Sequence, residues 1–352
     1  MSDGTVTETR FEVVRDDLTR TRTVQRDLPA LAEGQVLAAV DSFGFTANNI
    51  SYAVFGDVLG YWGFFPSEGE WGQIPTWGFA DVVASAHDDV AVGTRLFGYF
   101  PMASHLVLSP GAVDATSLFD AAEHRSALPP AYNSYRLVGG DPLYDPDRED
   151  EQMLLWPLFF TAFVLDRFLG ANDVFGATTV VLSSASSKTA LATAHCLAER
   201  GGLTVVGLTS PANVEVVDAV GRFDRVLAYD RIDTLVPEAA VYVDFAGDTA
   251  VRAAVHTRYG DHLAHSAMVG GTHWDQTAPA EVPGPAPVFF FAPGHWDAAA
   301  EAELPDAWRG FVSGLDDWLR IEHRSGVDAV EAAYLDTLAG RIDPAVGLVL
   351  SF

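Results

Sequence analysis

Hydrophobic and polar positions follow two different periods along this chain, and the change falls near its middle. In the first part, short runs alternate apolar and polar residues, as in strands that bury one face. The predicted strands are a hairpin through Phe11, Val13 and the Thr-rich stretch 19–24, then runs over 36–41, 82–86 and 95–100. Their spacing between Gly and Asp turns predicts a small, mostly antiparallel β domain. The segment 56–80, rich in Trp, Phe, Gly and Pro, has neither period and predicts an aromatic loop.

The second part of the chain alternates strands and helices. It follows an acidic, turn-rich stretch at 139–150 and begins with helical spacing of apolar residues over 151–169. Strands are predicted at 179–182, 203–208, 225–228, 240–245, 263–269 and 288–291, with helices at 188–200 and 211–221. This alternation favours a parallel, doubly wound sheet in an α/β fold. Helix is predicted again over 305–335, and a last strand over 346–352.

The net charge of −27 narrows the classes of partner. An acidic surface repels nucleic-acid phosphates and anionic membranes, so we expect neither as a partner.

No apolar run approaches the roughly 18 residues of a membrane span, so no membrane span is expected. Residues 1–5 have neither a basic region nor an apolar core, so we expect no signal peptide and a cytoplasmic protein.

A single cysteine, Cys196, limits the metal chemistry. One thiol excludes an internal disulfide and a cysteine-cluster zinc site, and the Ala-rich helical pattern around Cys196 predicts a buried packing role. The ten histidines show no HExxH pattern, and the short pair His262 and His265 is expected at the surface before a strand. We therefore predict no metal.

The one lysine of the chain, Lys188, lies in a stretch of small hydroxyl residues. Residues 183–190 read Ser-Ser-Ala-Ser-Ser-Lys-Thr-Ala, between an apolar run at 178–182 and a helical pattern. A strand, a turn of small residues and a helix form the geometry that binds a phosphate at a helix N-terminus. This placement of the only ammonium side chain indicates a cofactor site.

The order of β domain, alternating domain and last strand resembles the medium-chain dehydrogenase/reductase superfamily. The segments that carry the resemblance are 31–40, 82–97, 161–162, 242–247 and 340–350, which look like its E-G-E-V-L-V, G-D-R-V, T-A, V-D-x-x-G and G-K-x-V-L motifs. The resemblance implies a GroES-like catalytic domain over 1–145, completed by about 320–352. It also implies a Rossmann-type dinucleotide-binding domain over 151–319.

Four further blocks resemble one uncharacterised bacterial branch of that superfamily, which is catalogued only as a domain of unknown function. They are residues 61–66, 75–79, 184–189 and 290–293. This narrower resemblance implies a fold and a cofactor but no substrate.

The phosphate loop departs from the superfamily pattern, which reads approximately G-A-x-G-G-V-G. No glycine remains at the matching positions 184–190, so a positive φ there is expected to strain a serine or the lysine. In exchange, we expect hydroxyls and one ammonium to supplement the backbone N–H groups, from Ser184, Ser186, Ser187, Lys188 and Thr189. The alternative is a helix N-cap with a solvated lysine.

The second strand of the alternating domain indicates which dinucleotide is bound. NAD-specific domains place a carboxylate at its end, to hold the ribose 2′-hydroxyl. Residues 207–213 contain none, so NADP(H) is favoured, with Thr209, Ser210 and Asn213 as donors to a 2′-phosphate. By the resemblance, Tyr229 lies near the adenine or ribose, or is a partly buried edge tyrosine. Thr161 and Phe291 also belong to the implied cofactor site.

The implied chemistry is that of the zinc-free members, which deliver hydride to a conjugated carbonyl while a donor stabilises the enolate oxygen. Their N…Y…G pattern matches residues 48–56. Tyr52 is the predicted donor and Asn48 or Asn49 the asparagine, with a one-residue ambiguity. The alternative for Tyr52 is a core tyrosine with a satisfied hydroxyl.

Polar residues among aromatic ones predict a flat, apolar substrate pocket. The candidates are His105, Arg125, Tyr132 and Tyr135, with Trp62 either lining the pocket or filling a core. The alternative is interdomain packing, with Arg125 and Arg136 paired to the many carboxylates. The apolar stretch 287–293 predicts a strand. The resemblance implies that this strand pairs with its copy across a homodimer, and an apolar strand with an unmatched edge is a liability unless it pairs.

The leading hypothesis from the sequence is a zinc-independent, NADPH-dependent reductase of an enone, quinone or acyl compound. One alternative is a redox-silent relative that binds NADP(H) without turnover. Another is a lyase or isomerase that uses Tyr52 or His105 in proton transfer.

Overall fold

The computed structural model describes residues 5–269, 282–315 and 318–352, which form an α/β protein with an antiparallel and a parallel part. Two compact units are present, one through Leu154 and again from Leu319, the other over Leu155–Trp318. The strands of the first unit are mostly antiparallel, and the second unit holds a parallel sheet.

The first unit begins with the predicted hairpin, β1 and β2, whose register pairs Phe11 with Thr23. Its elements up to the second unit are β1 (Thr7–Val14), β2 (Asp17–Asp27), β3 (Val36–Phe45), α1 (Ala47–Val54), β4 (Trp71–Gly72), β5 (Pro75–Ser85), β6 (Arg95–Pro101), β7 (His105–Leu108), β8 (Pro110–Val113), β9 (Ser117–Asp120) and β10 (Ser134–Leu137). The next helix, α2 (Glu149–Ala171), begins in the first unit and belongs to the second unit from Leu155 onward. Part of the predicted aromatic loop 56–80 is therefore strand, because β4 pairs with β1 and β5 pairs with β3.

The second unit contains a parallel sheet of six described strands in the order β13-β12-β11-β14-β15-β16. Its elements are β11 (Thr179–Leu182), α3 (Lys188–Arg200), β12 (Thr204–Thr209), α4 (Val214–Ala219), β13 (Arg225–Ala228), β14 (Ala240–Asp244), α5 (Thr249–Tyr259), β15 (Leu263–Met268), β16 (Val288–Phe289) and α6 (Leu304–Val312). Strand order reverses beside β11, so the carboxyl ends of β11, β12 and β14 border the place where ligands bind in open parallel sheets. Pro211–Asn213, predicted as helix, is a 3-10 turn before α4.

The chain returns to the first unit through β17 (Arg320–Ser325), α7 (Val327–Leu338) and β18 (Val346–Ser351). The predicted helix over 305–335 is therefore wrong at Arg320–Ser325. Those residues pair in parallel with β18, from Arg320 opposite Val346 to Ser325 opposite Ser351. The nine-stranded sheet runs β17-β18-β3-β5-β6-β10-β9-β8, with β7 also on β3.

Within the part of the chain that the structure describes, one helix, α2, is long and apolar enough to cross a membrane by length and composition alone. The sequence was expected to contain no such segment. However, 67% of its most apolar window is buried inside the structure, as in the core helix of a soluble protein.

Candidate functional site

The loop between β11 and α3 makes a tight turn at Ser184. This residue has a φ of +50°, in the left-handed region that favours glycine. The Ser184 carbonyl accepts a 2.7 Å hydrogen bond from the Ser187 N–H. The positive φ expected in this glycine-free loop is therefore present, and it falls on Ser184 rather than on Lys188.

Ser187 caps α3, which places the loop at a helix N-terminus. Its Oγ accepts a hydrogen bond from the Ala190 N–H at 3.2 Å. Lys188 and Thr189 are the first two residues of the helix, and both are half-buried. The first N–H groups of a helix have no carbonyl partner within it, so the Thr189 N–H is one that a ligand can use.

Three of the predicted cofactor residues, Ser186, Thr209 and Asn213, form one hydroxyl and amide cluster beside the loop, which we call the Ser186 cluster. The Ser186 Oγ accepts from the Asn213 amide at 3.2 Å and from the Thr209 hydroxyl at 3.4 Å. Ser210 lies between Thr209 and Asn213 in the sequence, and its carbonyl accepts a hydrogen bond from the Asn213 N–H. The carboxyl end of β12 is thus joined to the loop by neutral groups alone.

Tyr229 contacts the loop directly. Its hydroxyl accepts a 3.0 Å hydrogen bond from the Ser184 N–H, and burial raises the pKa of the phenol. Tyr229 is partly buried and follows the edge strand β13, as the predicted alternative has it, and its hydroxyl also reaches the loop. The protonated hydroxyl remains able to donate to a further acceptor.

A buried ion pair lies under the loop, and the sequence did not single it out. Asp244, at the end of β14, accepts from the Ser183 hydroxyl at 2.9 Å and from Arg252 Nε at 2.8 Å. The Ser183 Oγ also accepts hydrogen bonds from the backbone N–H groups of Phe245 and Ala246. Because Arg252 compensates the buried carboxylate, Asp244 does not present an uncompensated negative charge to the loop.

Two predicted cofactor residues lie elsewhere in the second unit. The Thr161 hydroxyl, on α2, donates to the Pro157 carbonyl at 3.0 Å. Phe291 precedes the 3-10 helix Ala292–His295. Within the described residues, the hydrogen bond of the Thr161 side chain stays inside α2, so its predicted cofactor role rests on the resemblance alone.

Four tyrosines of the first unit pack ring against ring, and we call them the tyrosine cluster. Tyr52 lies 4.7 Å from Tyr61 and 5.6 Å from Tyr99, measured between ring centroids. Tyr132 lies 4.7 Å from Tyr99. Trp77 adds a fifth ring 5.3 Å from Tyr99. The rings come from α1, β5, β6 and two 3-10 turns, which the antiparallel sheet brings together.

The hydroxyls of the cluster remain protonated donors. Tyr61 and Tyr132 share a 3.2 Å hydrogen bond between their hydroxyls. Burial raises the pKa of Tyr52, although the neighbouring Trp77 and Asn48 side chains act in the opposite direction. The Trp77 indole N–H lies beside the Tyr52 hydroxyl without completing a hydrogen bond, and the buried Tyr99 hydroxyl has no partner among the described residues.

The structure separates the two candidate asparagines. Asn49 is buried and occupied, since its Oδ1 accepts the Thr46 N–H at 2.8 Å and its Nδ2 donates to the Pro75 carbonyl. These bonds form the capping box of α1. Asn48 instead lies beside the Tyr52 hydroxyl. Asn48 is therefore the better match to the asparagine of the superfamily pattern.

Arg125 and Tyr135, predicted to line the pocket, instead support it from beneath. Arg125 is 1% exposed, with Nη1 3.0 Å from Asp120 Oδ2 and 2.9 Å from the Tyr135 hydroxyl. Its Nε donates to the Phe64 carbonyl, and the Tyr135 hydroxyl donates to the Tyr99 carbonyl at 2.6 Å. Because these donors are already used inside the protein, Arg125 positions the cluster rather than a ligand.

Trp62 follows the predicted alternative of filling a core, and His105 bonds to a neighbour outside the tyrosine cluster. Trp62 is packed in the hydrophobic core with Phe11, and a Cβ on Gly56 would come within 2.0 Å of its indole nitrogen. His105 lies opposite Ala39 on β3, and its Nδ1 is 2.9 Å from the Ser104 hydroxyl.

The described residues contain no group of three or more His, Cys, Asp or Glu side chains arranged to hold a metal ion. Cys196 is buried in α3, where burial raises the pKa of its thiol, as expected of a packing residue. His265 lies within β15 and stacks on Phe175 at 4.1 Å, so it is neither before the strand nor simply at the surface.

Comparisons with known proteins identify relatives in sequence and in fold. Residues 43–343 match the family model described as "Protein of unknown function (DUF2855)". No curated protein sequence matches the chain.

Solved structures are similar over nearly the whole chain at low identity. A putative NADPH:quinone reductase from Mesorhizobium loti is 14% identical with a TM-score of 0.65, covering 99% of both chains. CurA from Vibrio vulnificus, in complex with NADPH, is 13% identical with a TM-score of 0.63, covering 97% of this chain and 98% of CurA. S. aureus TarJ, in complex with NADPH, is 10% identical with a TM-score of 0.60, covering 99% and 100%. The predicted fold of the medium-chain dehydrogenase/reductase superfamily is thereby confirmed.

Proposed function

Because the chain belongs to the DUF2855 family of unknown function, we propose its role from its own residues: an NADP(H)-dependent reductase of a conjugated carbonyl compound. The second unit binds the dinucleotide, and the first unit binds the carbonyl substrate. The observation that carries this proposal is the convergence of the glycine-free loop, the Ser186 cluster and Tyr229 at the carboxyl ends of β11 and β12.

The residues of the loop fit a dinucleotide phosphate. Ser184 already adopts the left-handed conformation that glycine usually supplies at such a turn. Gly207 on β12 keeps the neighbouring backbone close, since a Cβ there would lie 2.8 Å from that of Ala185. Asp244 is compensated by Arg252, so its charge does not oppose an anion. Backbone N–H groups at the start of α3, the hydroxyl of Thr189 and the ammonium of Lys188 supply donors.

NADP(H) is favoured over NAD(H) by the chemistry at the end of β12. The Thr209, Ser210 and Asn213 side chains offer hydroxyl and amide groups, and residues 207–213 contain no carboxylate that would repel a 2′-phosphate. The NADPH in the similar CurA and TarJ structures supports the same choice. When bound, the cofactor would supply the hydride.

In the first unit, Tyr52 is the proposed donor to the substrate oxygen. Its raised pKa keeps the hydroxyl protonated at working pH, so it can donate a hydrogen bond as negative charge develops on that oxygen. The neighbouring Asn48 orients the phenol, and Arg125 holds Phe64 and Tyr135 beneath the cluster. The proposed substrate-binding domain comprises residues 1–145 and 320–352, and the proposed dinucleotide-binding domain comprises residues 151–319.

Replacing Lys188 by Ala is expected to weaken NADPH binding about 10- to 100-fold, because a charge-assisted hydrogen bond to a phosphate is lost. The measurement is the dissociation constant from calorimetric titration of the purified full-length chain. Lys188→Arg, which keeps the charge, is the matched control and should lose far less affinity. Equal affinity of wild type and Lys188→Ala would remove the loop lysine from the proposal.

A second candidate is the redox-silent NADP(H)-binding relative, and it rests on the departure of the glycine-free phosphate loop from the superfamily pattern, with the left-handed turn at Ser184. The Tyr229 hydroxyl accepts a hydrogen bond from the Ser184 N–H, so in both candidates this N–H is already used inside the protein. Tight NADPH binding without oxidation in the presence of a panel of enones and quinones would favour this candidate over the reductase. Measurable consumption of NADPH with any of them would exclude it.

We further propose a cytoplasmic homodimer formed through β16. This strand is the outermost of the described parallel sheet, and its Val288 and Phe289 side chains are 53% and 48% exposed. An apolar strand with an open edge is a liability unless it pairs. Light scattering of the purified chain should give the mass of two copies, and a monomer at micromolar concentration would contradict the proposal.

A further inference from the structure

The tyrosine cluster contains more hydrogen-bond donors than it uses. Four phenol hydroxyls and the Trp77 indole N–H are gathered there, and Tyr61 and Tyr132 share one hydrogen bond. The Tyr99 hydroxyl and the Trp77 N–H are buried without a partner in the described part of the chain. Buried donors in native proteins almost always find an acceptor, so an acceptor atom from outside the chain is indicated.

The unpartnered Tyr99 hydroxyl is enclosed by the other rings. Tyr99 has no exposed surface, and its ring contacts Tyr52, Tyr132 and Trp77. Burial raises the pKa of Tyr99, and each of the other three hydroxyls of the cluster raises it further, as expected if the oxygens converge. Trp77 and Asn48, which border the cluster, are half-buried, so both residues keep part of their surface in contact with solvent.

The cluster has no free positive charge for an anion. Arg125, which acts on Tyr99, is already paired with Asp120 at 3.0 Å and donates to Tyr135 and to the Phe64 carbonyl. The side chains that form the cluster and its border are neutral phenols, an indole and an amide. Placing a carboxylate among them would leave a desolvated charge uncompensated, whereas a carbonyl oxygen needs only the donors present.

The faces and edges of these rings also favour one kind of ligand skeleton. Tyr52 meets Tyr99 edge to face at 83°, and Tyr61 meets Tyr132 at 80°. Such tilted aromatic walls contact a further aromatic ring favourably through its face or edge. A planar aromatic compound is therefore better matched than a flexible aliphatic one.

We infer that the tyrosine cluster binds a neutral aromatic carbonyl compound, whose oxygen accepts hydrogen bonds from the Tyr99 hydroxyl and the Trp77 indole N–H. Tyr52 is the third donor, available as the oxygen gains charge during reduction. The inference deepens the proposed function and rests on it for the reaction, but the binding itself requires no cofactor chemistry. It adds Tyr99 and Trp77 as specificity-determining residues.

The test compares two ligands with the same skeleton. Benzylideneacetone carries a neutral methyl ketone on a phenyl-vinyl group, and trans-cinnamate carries a carboxylate in its place. Calorimetric titration of the full-length chain, with and without saturating NADPH, should show the ketone binding at least about 10-fold tighter than the acid. Equal or tighter binding of cinnamate, or no binding of either ligand, would overturn the inference.

Two variants separate the donors from general packing. Tyr99→Phe should weaken benzylideneacetone binding about 3- to 10-fold, the effect of one neutral hydrogen bond, and Trp77→Phe should weaken it at least as much. Tyr99→Phe should not lower the melting temperature of the ligand-free chain, because no internal partner is lost. Tyr144→Phe is the control, since that hydroxyl donates to Glu149 outside the cluster.

The remaining outcomes have distinct meanings. Unchanged ketone affinity in Tyr99→Phe, together with a lower melting temperature, would show that a water molecule alone satisfies the hydroxyl and would overturn the inference. Ketone binding that depends on Tyr99, without NADPH oxidation, would support the inference while contradicting the reductase function.

Discussion

Asp120→Asn is expected to destabilise the first unit by about 3–5 kcal/mol, the usual cost of removing one partner from a buried ion pair. Asp120 and Arg125 are each 1% exposed and 3.0 Å apart. In the native protein, Asp120 Oδ1 accepts hydrogen bonds from the Ser109 and Ala122 N–H groups. The side-chain oxygen of asparagine can accept the same two hydrogen bonds. The loss of stability therefore measures the cost of leaving the buried Arg125 guanidinium without its counter-charge. The measurement is the free energy of unfolding from urea denaturation, followed by tryptophan fluorescence.

Two further variants make this result specific to burial. Glu70→Gln breaks an ion pair with Arg20 whose side chains are both more than half exposed, and should cost less than about 1 kcal/mol. Adding Arg125→Met to Asp120→Asn removes the orphaned cation and should recover part of the lost stability. An Asp120→Asn variant as stable as Glu70→Gln would contradict the supporting role given to this pair.

Tyr52→Phe is expected to lower kcat about 100- to 1,000-fold, because a donor to the developing enolate oxygen is removed. NADPH affinity should be unchanged, since the dinucleotide is assigned to the other unit. The assay is NADPH oxidation with the best substrate from an enone and quinone panel. Tyr144→Phe, which removes a hydroxyl outside the cluster, should retain wild-type rates.

The pH dependence of kcat provides a second test of the proposed donor role of Tyr52. Burial raises the pKa of this phenol above its usual value of 10.0, so the hydroxyl stays protonated and able to donate below that pH. No fall in kcat from ionisation of Tyr52 is therefore expected up to about pH 10. A Tyr52→Phe variant with more than a tenth of wild-type kcat would exclude Tyr52 as the main donor.

Those parts of the fold that depend on local patterns were predictable from the sequence. The alternation of strands and helices after 151 indicated the parallel sheet, because a 3.6-residue and a 2-residue period are both visible in single segments. The loop around Lys188 was also predictable, including the positive φ that Ser184 adopts. Here the chain itself, through its run of small residues after an apolar strand, determines the geometry.

The parts that failed depend on partners distant in the chain. Arg320–Ser325 is a strand because it pairs with β18, which begins at Val346, and no local periodicity reports that pairing. Tyr99 and Trp77 enter the cluster through the β5–β6 pairing, which places them opposite each other. Which of Asn48 and Asn49 faces Tyr52 depended on the capping bond to Thr46, and the sequence alone left both open.

The most direct test of the account is titration of the wild-type chain with NADPH and with NADH under identical conditions. The glycine-free loop, the Ser186 cluster and Tyr229 predict saturable binding of NADPH, at least about 10-fold tighter than that of NADH, since only NADPH carries the 2′-phosphate that Thr209, Ser210 and Asn213 are proposed to hold. Absence of NADPH binding, or equal binding of NADH, would contradict the assignment of this loop as an NADP(H) site.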